Sequence, residues 1–368
     1  MVESSPLIPA IYVFGDSLVD VGNNNYLNIL AKADFPHNGV DFPDQQYTGR
    51  FSNGKVVPDF LAEEVGLPLL PPYLSLVDGN GTITNATSFI TGVNFASGGS
   101  GILNETRLGF NKVQIKNNIE MVEIERDRPM PMSQQIDLYS SVYEYVVEEL
   151  GSDAAQAHFS KSLLVIVVGS NDLFSYYMTD AHNDTTPQEY VDLMASTFES
   201  ELKLLYKYGA RKFVATAVPL LGCTPSQRMS IPGEECKDEM NYWAGKYNIA
   251  LRLLLQRLEV DLPGFSYSYA DIYAITSDIM QTPSSYGFTE IKAACCGLGP
   301  LNALIPCIPL ASLCPNRNDH LFWDPFHPTQ KVNHIVVDYI FNGSNFTYPI
   351  NIKELIDKPT KSIGYQYY

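Results

Sequence analysis

Five short runs rich in β-branched and aromatic residues punctuate the chain: Ile11 to Phe14, Gly92 to Phe95, Leu163 to Val168, Phe213 to Val218 and Phe265 to Ala270. Such runs read as strands. Between them, apolar positions recur at helical spacing over Val56 to Val65, Pro187 to Tyr208, Glu235 to Val260 and Thr329 to Phe341. Strands separated by stretches long enough for crossover helices predict an α/β fold. The expected architecture is a three-layer α/β/α sandwich around a mostly parallel sheet of roughly five strands. In such sheets ligands sit beyond the carboxyl ends of the strands, so the residues just after each run are where chemistry is expected.

The first run empties into Gly15-Asp16-Ser17-Leu18 and the third into Gly169-Ser170-Asn171-Asp172. The second leads to the glycine cluster Gly98 to Gly101, and Asp324-Pro325-Phe326-His327-Pro328 stands near the end of the chain. A serine hydroxyl is protonated at neutral pH, so its attack on a carbonyl needs a base within about 3 Å to take the proton. His327 has a suitable reference pKa of about 6.5. Asp324, three positions earlier, is spaced to fix the ring tautomer and stabilise the imidazolium. Backbone N–H groups of Ser17 and Gly98, with the side-chain amide of Asn171, suit the developing oxyanion, because glycine permits close approach and asparagine carries a neutral donor. Asp16 and Asp20 read as turn and helix-start residues. His37, His158, His182, His320 and His334 default to surface or packing roles.

These blocks resemble the GDSL esterase/lipase family, the plant branch of the SGNH hydrolases. The resemblance rests on Gly15 to Tyr26, on Gly49-Arg50-Phe51-Ser52-Asn53-Gly54 and on Phe322-Trp323-Asp324-Pro325-Phe326-His327-Pro328-Thr329, and it spans nearly the whole chain. It implies Ser17 as nucleophile, His327 as base, Asp324 as its partner, and Ser17, Gly98 and Asn171 as oxyanion donors. Gly99 lies one step away in the same match. The implied activity is carboxylester hydrolysis through an acyl-enzyme on a small-molecule or lipid ester. Transfer of the acyl group to an alcohol acceptor is the second reading, and a non-catalytic binding or defence-associated protein is the third.

With 41 acidic against 24 basic side chains, a formal charge of -17 repels nucleic acid and anionic membrane surfaces. No apolar run approaches the roughly 20 residues of a membrane span. The sequence contains no Gly-x-Ser-x-Gly, P-loop, His-Glu-x-x-His or Cys-x-x-Cys motif, so no metal or cofactor is implied. The four blocks must converge, which predicts a single domain over residues 1–368 and a monomer.

Cys223, Cys236, Cys295, Cys296, Cys307 and Cys314 make an even set in loop-like sequence, which suggests disulfides with the pairing open. Sequons at Asn80, Asn85, Asn104, Asn183, Asn342 and Asn345 point the same way, to a secreted protein or one in a vacuole or other secretory compartment. Met1 to Pro6 has no signal-peptide character, and Met1 reads as a start codon joined to a mature chain. Residues 111–132 form a charged insertion that reads first as a solvated surface loop and second as a flap beside the substrate entrance. Leu69 to Leu74, Leu173 to Met178 and Leu301 to Leu313 are candidate acyl-pocket linings and equally candidates for the core.

Overall fold

The apolar runs become strands because neither face of them meets water. Ile11–Gly15 (β1), Gly92–Asn94 (β2), Leu163–Val167 (β3), Lys212–Thr216 (β4) and Ser266–Ala270 (β5) are buried at every residue. The computed structural model describes residues 5–106, 112–116, 121–125, 128–178 and 185–359. The five strands lie side by side in the order β2-β1-β3-β4-β5 and are all parallel. A sixth, Thr347–Tyr348 (β6), adds antiparallel to β5 through Thr347↔Ala270 and Tyr348↔Tyr269. The five expected strands therefore gain an edge strand, too short and polar to leave a pattern in the sequence.

Helices cover both faces: Val57–Val65 (α1), Met132–Leu150 (α2), Ser152–Lys161 (α3), Ser170–Met178 (α4), Pro187–Lys207 (α5), Asp238–Asp261 (α6), Ile272–Gln281 (α7), Gln330–Phe341 (α8) and Ile352–Asp357 (α9). Successive strand residues point to opposite sides. Tyr12 and Phe14 accordingly join a core with Ile136 and Tyr139 of α2, Phe198 of α5 and Leu255 of α6. Ile11 and Val13 join the opposite core with Leu61 of α1, Ile279 of α7, Val336 of α8 and Leu355 of α9. The result is the expected α/β/α sandwich. Helix α5 starts where its sequence says it should: Pro187 follows the cap Thr186, whose side chain and Glu189 satisfy each other's backbone N–H groups.

The cysteines pair as Cys223–Cys236, Cys295–Cys314 and Cys296–Cys307. The last two knot the chain between Glu290–Ala294 and His320–Phe322, two strands that pair in parallel away from the main sheet. Closing loops of 19 and 11 residues restricts the unfolded chain there, each by about 3 kcal/mol in the chain-entropy account. Within this charged stretch, read as a surface loop or a flap, Lys112–Lys116 pairs antiparallel with Met121–Glu125; residues 107–111, 117–120 and 126–127 lie outside the described residues. The stretch ends earlier than expected, since Met132 already opens α2. Among the described residues no helix is long and apolar enough to cross a membrane.

Candidate active site

The strand order reverses between β1 and β3, the switch point at which open α/β sheets bind ligands. Gly15 pairs with Val167 at the carboxyl ends of the two strands, and Asp16 N–H donates to the Val167 carbonyl at 3.0 Å. Gly15 has φ 147°, and a Cβ there would lie 2.1 Å from the Val167 oxygen. Only glycine lets β1 turn out while staying this close to β3. Ser17 follows in a tight turn in which Asp16 Oδ1 accepts from Leu18 N–H at 3.0 Å. The continuation of β2 is tied alongside, with Phe95 N–H on the Val13 carbonyl and Ser97 N–H on that of Gly15. Asn171 stands in the first turn of α4 and donates from Nδ2 to the Ser100 carbonyl at 2.9 Å.

His327 approaches from the far end of the chain. Its Nε2 lies 2.7 Å from Ser17 Oγ across 310 residues of sequence, and its Nδ1 lies 2.8 and 2.7 Å from the two Asp324 oxygens. Asp324 Oδ1 also accepts from the backbone N–H groups of Phe326 and His327, both at 2.9 Å, so the carboxylate shapes the loop that carries the ring. Trp323 N–H closes the loop by donating to the His327 carbonyl at 2.8 Å. Ser17, Asp324 and His327 are all buried. A carboxylate, an imidazole and a hydroxyl in this order can move a proton off the hydroxyl while the ring's charge is balanced.

The Gly49–Gly54 block buttresses this loop. Phe51 stacks obliquely on the His327 ring with centroids 5.1 Å apart, and Ser52 Oγ donates to the Pro328 carbonyl. Asn53 Oδ1 receives the Gln330 N–H that opens α8. Arg50 is fixed by a buried two-pronged pair with Asp59 at 2.8 and 2.7 Å. Pro328 precedes the cap Thr329 and so stands outside α8, and His327 is held by its own turn and by this block.

The expected use of Gly98 meets an obstacle. Its backbone N–H donates to Asp20 Oδ2 at 2.9 Å. The neighbouring Gly99 lines the cavity together with Ser17, Asn171 and His327. Asp20 also accepts from Gly22 and Asn23 N–H at 2.8 Å each. Asn23 donates to the Asn94 and Ala96 carbonyls, Asn24 to that of Gly98, and Ser97 Oγ to Asn24 Oδ1. From the other side, Gln135 of α2 receives Gly15 N–H at 2.8 Å and donates to the carbonyls of Gly15 and Met130 and to Ser100 Oγ. Asn23, Asn24 and Gln135 thus sew the Ser17 and Gly99 loops together. No motif in the sequence marks these three as site residues; the signal for Gln135 is a polar residue inside the apolar stripe of α2.

Burial raises the Asp20 carboxyl to about 6, against the opposing pull of N–H bonds from Gly22, Gly98, Asn23 and Asn24. A folded-state value above the unfolded one means that this group's stabilising contribution is complete below the unfolded value and is lost as pH rises through the folded one. The two-unit gap corresponds to about 3 kcal/mol. Between about pH 3 and pH 7, wild type is expected to lose about 3 kcal/mol of unfolding free energy relative to Asp20→Asn, read by denaturant titration. Parallel pH profiles for the two proteins would rule the assignment out.

Ser17 opens onto a cavity of about 510 Å³. Of the expected linings, Phe174 and the Pro306–Ile308 stretch reach it. Leu69 to Leu74 do not: Leu70 and Tyr73 are packed into the two cores. Leu301 and Leu304 likewise fall outside the lining, and Leu304 and Leu310 face solvent. Among the described residues, His158 is the one non-catalytic histidine with a deep position. Its Nε2 meets Tyr12 OH at 3.0 Å, and burial lowers its pKa to about 4, a neutral packing residue as expected.

A hydrogen-bonded serine, histidine and aspartate at the switch point of a parallel sheet, over an apolar cavity, defines a candidate serine-hydrolase site. Comparison with known proteins places the chain in a family of that class. The family model of the GDSL-like lipase/acylhydrolases matches residues 11–340, and the chain belongs to this family. The Arabidopsis thaliana GDSL esterase/lipase At5g55050 is 43% identical over 357 residues, covering 95% of this chain and 90% of the relative. GDSL esterase/lipase At4g16230 of the same plant is 38% identical over 358 residues, covering 95% and 91%. Among solved structures, an acetyl-xylooligosaccharide esterase from Geobacillus Stearmophilus aligns over 89% of this chain and 90% of its own at 13% identity and a TM-score of 0.37.

Proposed function

We propose that the protein is a serine carboxylester hydrolase that works through an acyl-enzyme on Ser17. The observation that carries this reading is the unbroken hydrogen-bond chain Ser17–His327–Asp324, assembled from the two ends of the sequence. In this reading His327 Nε2 takes the hydroxyl proton as Ser17 Oγ attacks the carbonyl carbon, while Asp324 balances the charge on the ring. The ring then returns the proton to the leaving alcohol, and a water deprotonated by His327 releases the acid.

Three donors are assigned to the developing oxyanion: the backbone N–H groups of Ser17 and Gly99 and the side-chain amide of Asn171. Gly99 replaces Gly98 because the Gly98 N–H is engaged by Asp20. Asn171 carries two amide hydrogens, and its bond to Ser100 orients one, leaving the other for substrate. Export fits the three disulfides and the sequons. Asn80, Asn85, Asn104, Asn342 and Asn345 are exposed and therefore accessible to glycosylation; Asn183 lies outside the described residues.

Incubation with a fluorophosphonate probe is expected to leave one adduct, on Ser17, in folded protein and none after denaturation, read by peptide mass spectrometry. The protein is also expected to release p-nitrophenol from short acyl esters, and product analysis with alcohols present separates hydrolysis from transfer. Failure to label Ser17 in protein that is demonstrably folded counts against covalent acyl chemistry and in favour of a binding role.

A further inference from the structure

The cavity beneath Ser17 is not a shallow cleft. Its lining continues along α7 through Ile272, Thr276 and Met280 and along α8 through Val332, Val336 and Ile340. Both sets are spaced four residues apart, so each forms one stripe along one helix face. Both stripes line this one cavity, a corridor between the two helices in the reading below, together with Val167 and Thr216 at the carboxyl ends of β3 and β4. An eight-residue stretch of helix is about 12 Å long, comparable to about ten methylenes of an extended chain.

The corridor walls are apolar even where the sequence is not. The hydroxyl of Thr276 is turned back onto the Ile272 and Tyr273 carbonyls at 2.8 and 3.1 Å, which leaves its methyl group for the corridor. At the level of Met280 and Ile340 the helices are bridged. Tyr286 OH donates to the Asp278 carboxylate on α7 and lies 2.8 Å from Tyr339 OH on α8. None of these three bridging residues belongs to the lining, and the bridge is taken as the closed end of the corridor. The other end opens past Ser17 toward Leu30, which is 60% exposed.

From this geometry, and resting on the acyl-enzyme reading above, we propose that the corridor between α7 and α8 receives the acyl chain. The substrate class is then esters of straight-chain fatty acids of about ten carbons, the length of the two helical stripes. The direction follows from the order of events. The alcohol departs first, while the acyl group is still bonded to Ser17 Oγ, so an alcohol lodged in the closed end would be trapped behind the acyl group. The acyl chain therefore occupies the closed end and the alcohol lies toward the open one. Thr276 and Met280, half-buried on one face of α7, set the usable length.

The test is kcat/KM for p-nitrophenyl esters from acetate to palmitate with wild type, Thr276→Phe and Met280→Ala. Wild type is expected to peak near decanoate. Thr276→Phe is expected to lower the decanoate-to-acetate ratio at least about tenfold, as an apolar pocket discriminates at about this level per methylene or more, and Met280→Ala to move the peak to longer chains. A flat wild-type profile, or variants that lower every ester equally, overturns the proposal. Decanoate binding to the Ser17→Ala protein by calorimetry keeps the two readings apart. If no ester is cleaved yet decanoate binds, and Thr276→Phe in that background weakens it about tenfold, the hydrolase reading fails while the corridor stands. No binding of decanoate by the folded protein removes the corridor as an acyl site whatever the rates.

Discussion

Ser17→Ala is expected to lower kcat by about a millionfold while leaving the protein folded. The loss is large because the hydroxyl is the atom that bonds to the acyl group, and no neighbour can substitute for it. The residual rate is that of a site which still binds the ester and polarises its carbonyl without attacking it. Stability should hardly change. The deleted oxygen makes one hydrogen bond, to His327 Nε2 at 2.7 Å, and the ring stays anchored through Asp324 and Phe51. Such a truncation costs about 1 kcal/mol. The check is steady-state hydrolysis of p-nitrophenyl esters beside a thermal unfolding curve for each protein. Comparable turnover in the two proteins would falsify the assignment of Ser17 as nucleophile.

Asp324→Asn is the second large effect, expected at about ten-thousandfold in kcat. The substitution preserves shape but puts an amide where the ring's Nδ1–H needs an acceptor. Asp324 Oδ1 also accepts from the Phe326 and His327 backbone N–H groups. Satisfying those two bonds turns the asparagine N–H₂ group toward Nδ1 and favours the tautomer with its proton on Nε2, the wrong side for taking the Ser17 proton. KM should move much less than kcat, since the residue contacts the base and not the substrate. A variant within tenfold of wild type, with its loop shown intact by unchanged unfolding behaviour, would mean that Asp324 only shapes the turn.

Much of the site was legible because its parts lie at places the pattern marks. Apolar runs that end at Phe14 and Val168 announce, within one residue, where β1 and β3 stop, and Ser17 and Asn171 each follow three residues later. The choice between Gly98 and Gly99 was not legible. Adjacent glycines look identical in sequence, and what separates them is a buried carboxylate, Asp20, that takes one N–H and leaves the other glycine on the cavity. Helices α2, α3, α4, α7 and α9 were also missed. Among them, α4 is buried from Ser170 to Tyr176 and so has no exposed face to reveal its period.

The lining of the cavity shows the same limit. Leu69 to Leu74 looked as suitable as any apolar stretch, yet Leu70 and Tyr73 are core. Thr276 looked polar, yet it presents a methyl group once its hydroxyl is bonded to the helix backbone. Pairing of the cysteines was equally closed to inspection, since Cys295 and Cys296 are neighbours and only the path of the following loop decides that they take Cys314 and Cys307 respectively.

The order of strand-forming and helix-forming stretches, and the residue types available to attack, deprotonate and orient, are properties of the chain read locally. Periodicity and side-chain chemistry need no knowledge of distant neighbours, so these were set before folding. Which N–H groups remain open, which apolar faces enclose a corridor and how far that corridor runs belong to the tertiary structure alone. Each depends on separations of a few ångströms between segments remote in sequence. Those separations exist only after both cores have closed on the sheet.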